Sequence, residues 1–216
     1  MGAIYLVRHG QASFGAADYD ALSPRGFEQS TVVGTELLRR NVSFNQIRSG
    51  SLARQRDTAA TALKVLDTDV PVVEDPRWNE YDHLGLVPAG QPAPADSRDF
   101  QRELDKAIEA WITGGYAAGV TGTWLEFSGG VDTALRDAFA TLPKGKAGLV
   151  FTSAGVISAI CAALLAMPTA GYLALNRTMA NAAITKLVSG RSGMSLVSLN
   201  EHGHFEGPHR GLLTYR

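Results

Sequence analysis

Apolar residues fill positions 3–7 without interruption, and a polar, glycine-containing segment follows over 10–20. A short continuous apolar run bounded in this way predicts a strand buried on both faces that ends in a functional loop. Ser23 and Pro24 then read as a helix cap and a proline at the first helical position, and Phe27, Gly34, Leu37 and Leu38 recur at helical spacing. Together they predict a helix over about 24–40. Residues 42–48 suit a second strand, Leu52, Ala59, Ala60, Leu63 and Leu66 a second amphipathic helix, and 70–74 a third strand.

From 75 to 97 the periodicity lapses, and Pro76, Pro88, Pro92 and Pro94 mark a long surface excursion of the lid or binding kind. Two helices follow, one with Phe100, Leu104, Ala107, Ile108 and Trp111 on a face, the other with Phe127, Val131, Leu135, Phe139 and Leu142. Another buried-type strand is expected at 147–152, a helix at 154–166, and strands at 182–189 and 194–199 around the turn Gly190-Arg191-Ser192-Gly193. Alternating strands and helices imply an α/β three-layer sandwich, a mostly parallel central sheet with helices on both faces. The length fits one domain over 1–216, with an insertion or lid region around 75–122.

Composition narrows the classes of partner. Lys and Arg total 20 against 21 Asp and Glu, a formal net charge of -1, so no global field favours nucleic acid or anionic lipid. At 45% hydrophobic and 19% charged residues the chain is too apolar for a disordered class. The single cysteine, Cys161, sits mid-helix among apolar neighbours, cannot pair internally and fits a reducing compartment. The longest apolar candidate, 156–167, is interrupted by Ser158 and falls short of the 18 or so residues of a membrane helix. Residues 3–7 follow Met1 and Gly2 with no basic leader pattern, so a cytoplasmic protein is expected.

Ligands of such sheets sit at the carboxyl ends of the strands, and there the polar residues are distinctive. The first strand ends in Arg8-His9-Gly10, the second runs into Ser49-Gly50-Ser51-Leu52-Ala53-Arg54, the third is followed by Glu80 and Asp82, and the 147–152 run ends in Thr152-Ser153-Ala154-Gly155. Two guanidinium groups offer forked donors to phosphate oxygens, and helix amino termini offer unpaired N–H groups. A phosphoryl group is the natural ligand.

At this point the sequence resembles a family. Leu6-Val7-Arg8-His9-Gly10-Gln11 is similar to the signature of the histidine phosphatase superfamily, which includes the phosphoglycerate mutases. Leu22-Ser23-Pro24-Arg25-Gly26, Arg54-Gln55-Arg56-Asp57-Thr58-Ala59, Asn79-Glu80-Tyr81-Asp82, Gly155-Val156-Ile157, Asn181-Ala182-Ala183-Ile184 and Asn200 resemble its later motifs in order. The resemblance implies a phosphoglycerate mutase-like fold and a phosphomonoester hydrolase with no cofactor or metal. His9 would carry the phosphoryl group, Arg8 and Arg54 would bind its oxygens, and Glu80 would serve as acid and base, with Asp82 as the alternative acid. Gly10, Gln11, Ser13, Ser153 and Ala154 would complete the substrate site. The partner implied is a small-molecule phosphomonoester, with no nucleic acid and no membrane, and a homo-oligomer is left open.

The sequence also departs from the family. Ser153 stands where the resemblance expects a second histidine, and a hydroxyl cannot carry positive charge. Slow or specialised catalysis is expected, or a noncatalytic phosphate-binding or regulatory module on the same fold. Gly15 and Gly122-Thr123 replace groups of mutase-like members, so mutase-type phosphotransfer is a lesser alternative. Ser153 can also cap the following helix, and His83 and His202 are candidates to supply the missing cation from loops. The spacing of His202, His204 and His209 invites a metal reading, against which a packed carboxy-terminal tail is preferred. Gln91, Arg98 and Arg102 can face an acidic substrate, although exposed helix charge is the simpler expectation.

Overall fold

The computed structural model describes residues 2–13, 20–86, 97–114 and 122–215. Its strands are β1 (Gly2–Arg8), β2 (Phe44–Ser49), β3 (Val72–Glu74), β4 (Ala147–Thr152), β5 (Ile184–Gly190) and β6 (Gly193–Glu201). Its helices are α1 (Pro24–Arg39), α2 (Ala53–Leu66), α3 (His83–Leu86), α4 (Ser97–Ile112), α5 (Trp124–Thr141), α6 (Ala154–Leu164) and α7 (Thr169–Thr178).

The strands form one sheet in the order β3-β2-β4-β1-β5-β6. β1 with β4, β2 with β4 and β2 with β3 run parallel, whereas β5 is antiparallel to both β1 and β6. The expected mostly parallel sheet is therefore present, extended at one side by a hairpin. Successive β1 side chains alternate between the two cores, as a strand pleat requires. Ile4 and Leu6 pack with Val131, Leu135, Ile157 and Cys161 on the α5/α6 side. Tyr5 and Val7 pack with Val33, Leu37, Ile47 and Ala59 on the α1/α2 side. All six residues of β4 are buried, so the centre of the sheet is covered on both faces.

Several boundaries differ from the sequence expectation for local backbone reasons. Asn41 takes φ 52°, a left-handed residue that delays β2 to Phe44, and Ala182 takes φ 54°, so β5 begins at Ile184 rather than at 182. Ala166 at φ 49° follows the end of α6 at Leu164, two residues before the expected end. The 169–178 segment, for which no element was expected, is helical. Its apolar residues Tyr172 and Leu173 pack into a third cluster with Tyr81, Leu86, Ile108 and Trp111, so tertiary packing stabilises it more than periodicity does. That cluster carries the inner part of the expected insertion, while 87–96 and 115–121 lie outside the described residues. Among the described residues no helix is long and apolar enough to cross a membrane.

Candidate active site

The site forms where β1 and β4 end side by side. The His9 amide donates to Thr152 O at 2.8 Å, and the His9 carbonyl accepts from Ala182 N and from Asn181 Nδ2, each at 3.3 Å. Gly10 N donates to Thr58 Oγ1 at 3.0 Å, and a Cβ at residue 10 would lie 2.4 Å from Gly26 O, so only glycine lets this turn press against the start of α1. Gln11 N reaches Gln29 Oε1 at 2.7 Å, and Gln29 in turn donates to Leu212 O and Thr214 Oγ1 at 2.6 and 2.7 Å. The backbone under the imidazole is thus tied to two helices, a neighbouring strand and the carboxy-terminal segment.

His9 is 6% exposed. Its Nδ1 lies 2.7 Å from Gly10 O, an acceptor, and its Nε2 lies 3.2 Å from Arg54 Nε, a donor. Both contacts are satisfied together by one neutral tautomer, with the proton on Nδ1 and a lone pair on Nε2. Arg54, the second residue of α2, is buried, and its Nη1 donates to Asp20 Oδ1 at 2.7 Å. Asp20 Oδ2 accepts from Ala53 N, also at 2.7 Å, satisfying an N–H of the first helical turn. Arg56, in contrast, is half exposed and points to Glu74 at 3.9 Å.

Arg8 is buried, with Nη1 donating to Tyr215 O at 3.0 Å and in a short contact to Met179 O. Glu80 turns its carboxyl inward, where Oε2 accepts from Gly155 N at 3.0 Å and Oε1 is closed to solvent with no hydrogen-bond partner among the described residues. Burial raises the Glu80 pKa above the usual carboxylate value, opposed by the Gly155 N–H and by the charges of Arg54 and Arg8. A Cβ on Gly155 would meet Oε1 at 2.2 Å, so the glycine admits the carboxyl to the start of α6. Asp82 is exposed, and its Oδ1 accepts from Gly85 N at 3.0 Å. Burial therefore separates two carboxylates that are equivalent in sequence. Beside Glu80 lies a cavity of about 460 Å³ walled by Tyr81, Trp111 and Phe127, with Asp82 and Glu126 among its polar residues.

Ser153 is fully buried and occupies the cap position of α6, yet its hydroxyl makes no capping bond. The amide of Gln55 takes it instead: Nε2 donates to Ser153 Oγ at 2.8 Å and to Trp78 O at 3.0 Å. Ala154 begins α6 and is buried. The Gln11 amide oxygen accepts from the Ser23 hydroxyl at 3.1 Å, and Ser13 N donates to Ala21 O at 2.8 Å. His202 Nδ1 is 2.6 Å from Asn200 O, and its ring meets the edge of Tyr215, 6.4 Å between centroids. His204 contacts Ala182 O at 3.0 Å, and burial pushes its pKa down to about 4. His209 is exposed. Gly15, Gln91 and the side chains of His83 and Arg98 lie outside the described residues, and Arg102 is exposed.

Sequence reasoning quoted Gln55, Thr58 and Asn181 within motifs without giving them a role, and it missed Asp20. Gln55 and Thr58 are buried members of the same motif as Arg54, a signal that was available. Asp20 meets Arg54 only in the folded chain, 34 residues away in sequence.

Solved structures of the same fold include Bacillus stearothermophilus YhfR, 17% identical over 95% of this chain and 100% of that one, with a TM-score of 0.74. A mycobacterial glucosyl-3-phosphoglycerate phosphatase is 21% identical over 92% of this chain and 98% of its own, with a TM-score of 0.70. A mutant phosphoserine phosphatase from Entamoeba histolytica, in complex with phosphoserine, is 20% identical over 94% of this chain and 99% of its own, at 0.67. No curated protein matches the chain. The family model described as histidine phosphatase superfamily (branch 1) matches residues 4–202. With nearly its whole length matched, the chain belongs to the histidine phosphatase superfamily.

Proposed function

We propose that this protein is a phosphomonoester hydrolase that works through a phosphohistidine on His9. The observation that carries the reading is the imidazole itself: Nδ1 is committed to Gly10 O, and the Nε2 lone pair faces a buried guanidinium that can hold an anion in front of it. Substrate phosphoryl oxygens take over N–H groups of Arg54 as Nε2 attacks phosphorus in line, and Arg8 adds a second buried positive charge. Glu80 enters as the neutral acid, favoured by its raised pKa, and gives its proton to the departing alkoxide oxygen. In the second half-reaction the Glu80 carboxylate takes a proton from water, the resulting oxygen nucleophile attacks the phosphohistidine, and inorganic phosphate leaves. Nε2 regains its lone pair and Glu80 its proton, so the cycle balances.

Ser153 supplies no positive charge, and loss of one preorganised donor costs on the order of 10²- to 10³-fold in rate, which makes the enzyme slow or specialised. The names of two structural neighbours, a glucosyl-3-phosphoglycerate phosphatase and a phosphoserine phosphatase, support a small phosphomonoester as substrate. The test is metal-free turnover of a panel of phosphomonoesters by the wild type and His9→Ala, with an alkaline quench to preserve phosphohistidine. Turnover and a trapped phosphoryl group in the wild type, both lost in the variant, are expected. Phosphate binding without turnover in either protein would move the assignment to a phosphate-binding module.

A further inference from the structure

Arg54 can act on a phosphoryl group only if its guanidinium plane is held in one place, and it is the second residue of α2, where the first N–H groups of a helix need acceptors from outside it. Asp20 meets both needs with one carboxylate. Oδ1 accepts from Arg54 Nη1 and Oδ2 from Ala53 N, both at 2.7 Å, so Asp20 is joined to the start of α2 by two short charge-assisted bonds. The opposite corner of the same guanidinium, Nε, is the one that faces His9 Nε2 at 3.2 Å. A single planar group therefore links Asp20 to the nucleophilic nitrogen, and fixing one corner sets the position of the other.

We infer that Asp20 is the positioning residue for Arg54, holding the guanidinium plane so that its Nε side meets the phosphoryl group as His9 attacks. This rests on the phosphohistidine reading and extends it to a residue outside the family motifs quoted above. The role is worth most in the transition state, because a misplaced donor still binds a ground-state anion but fails to follow the charge that develops at phosphorus. A rival role has the opposite sign. A carboxylate on a guanidinium and a helix N–H can stand in for a phosphate, and a carboxylate acting as such a plug would have to be displaced before substrate binds.

The experiment compares wild type, Asp20→Ala and Asp20→Asn by turnover of p-nitrophenyl phosphate, orthovanadate binding, inorganic phosphate binding and thermal unfolding. Positioning predicts a fall of about 10²-fold in kcat for Asp20→Ala with KM changed less than about threefold, and orthovanadate binding weakened more than inorganic phosphate binding. Asp20→Asn keeps one acceptor oxygen for Arg54 or Ala53 N but not both, and falls between the two. Tighter phosphate binding or faster turnover in Asp20→Ala would make Asp20 a plug and overturn the inference. A lower Tm with kcat and orthovanadate binding unchanged would reduce Asp20 to a helix cap and overturn it equally. If the wild type turns over no phosphomonoester, the hydrolase reading fails on its own, and the orthovanadate comparison still decides the role of Asp20.

Discussion

The two buried arginines of the site are held by opposite kinds of acceptor. Arg8 leans on the carbonyls of Met179 and Tyr215, at the end of α7 and in the carboxy-terminal segment, whereas Arg54 is shared between the Asp20 carboxylate and the His9 imidazole on the α2 side. Carbonyl dipoles fix a guanidinium without cancelling its charge. A carboxylate fixes it and offsets part of that charge. Arg8 therefore carries its charge into the site while holding the segment around Tyr215, whereas Arg54 is directed at the His9 imidazole.

The sharpest way to break this comparison is to remove each arginine in turn. Arg54→Ala deletes the donor that faces Nε2, and turnover is expected to fall on the order of 10²- to 10³-fold with little change in Tm. Asp20 keeps its bond to Ala53 N in that variant, so the helix start stays capped. Steady-state kinetics beside thermal unfolding separate the two readouts. An Arg54→Ala protein that loses stability but not turnover would reverse the assignment of roles.

Arg8→Ala should show the other profile. Its removal takes the donor from two carbonyls, and a buried acceptor left without a partner costs about 1–3 kcal/mol. Chemical denaturation should register that loss, with hydrogen exchange rising in the 212–215 segment. Turnover should fall as well, because the guanidinium field at Glu80 and the phosphoryl group is gone.

How much of this was legible in the sequence depends on whether a contact is local. β1 was readable because Ile4, Tyr5, Leu6 and Val7 are all buried and leave no polar position in the run. The first residue of α1 was readable because Ser23 and Pro24 are local cap chemistry, and Ser23 Oγ does accept from Gly26 N at 3.1 Å. Ser153 has the same local signature, yet its hydroxyl is taken by Gln55 from across the sheet end. Glu80 and Asp82 lie two residues apart in one loop, and only the fold, which buries the Glu80 carboxyl against Gly155 and leaves Asp82 exposed, distinguishes their environments. Asp20 was invisible for the same reason: nothing in its neighbourhood along the chain announces a contact with Arg54, 34 residues later.

Glu80 sharpens the comparison through its response to both arginines. Burial is the first cause of its raised pKa, so the folded state binds its proton more tightly than the unfolded chain does, and the ordinary glutamate value of 4.5 marks where the difference begins. Wild-type stability is therefore lowered progressively as pH rises above about 4.5 and through the folded pKa. Glu80→Gln has no proton to lose and escapes that penalty. Its Tm relative to wild type should rise with pH, by on the order of a few degrees, while turnover collapses for want of an acid. A Tm difference independent of pH across this window would mean that the carboxyl is not desolvated as the structure has it.

The smallest expected effect is the control that gives the others meaning. Arg56 lies on the same helix turn as Arg54, carries the same charge and belongs to the same motif. Its side chain is 52% exposed, however, and its ion pair to Glu74 spans 3.9 Å, so it has neither the burial nor the geometry to act at His9. Arg56→Ala should change unfolding free energy by less than about 0.5 kcal/mol and leave kcat and orthovanadate binding at wild-type values. Because both variants remove one positive charge within the first turn of α2, any loss confined to Arg54→Ala cannot come from net charge or from the helix terminus. It must come from the Arg54 guanidinium that touches the imidazole. A larger loss for Arg56→Ala than for Arg54→Ala would shift the register of α2 by two residues and take Asp20, Gln55 and Thr58 out of the site together.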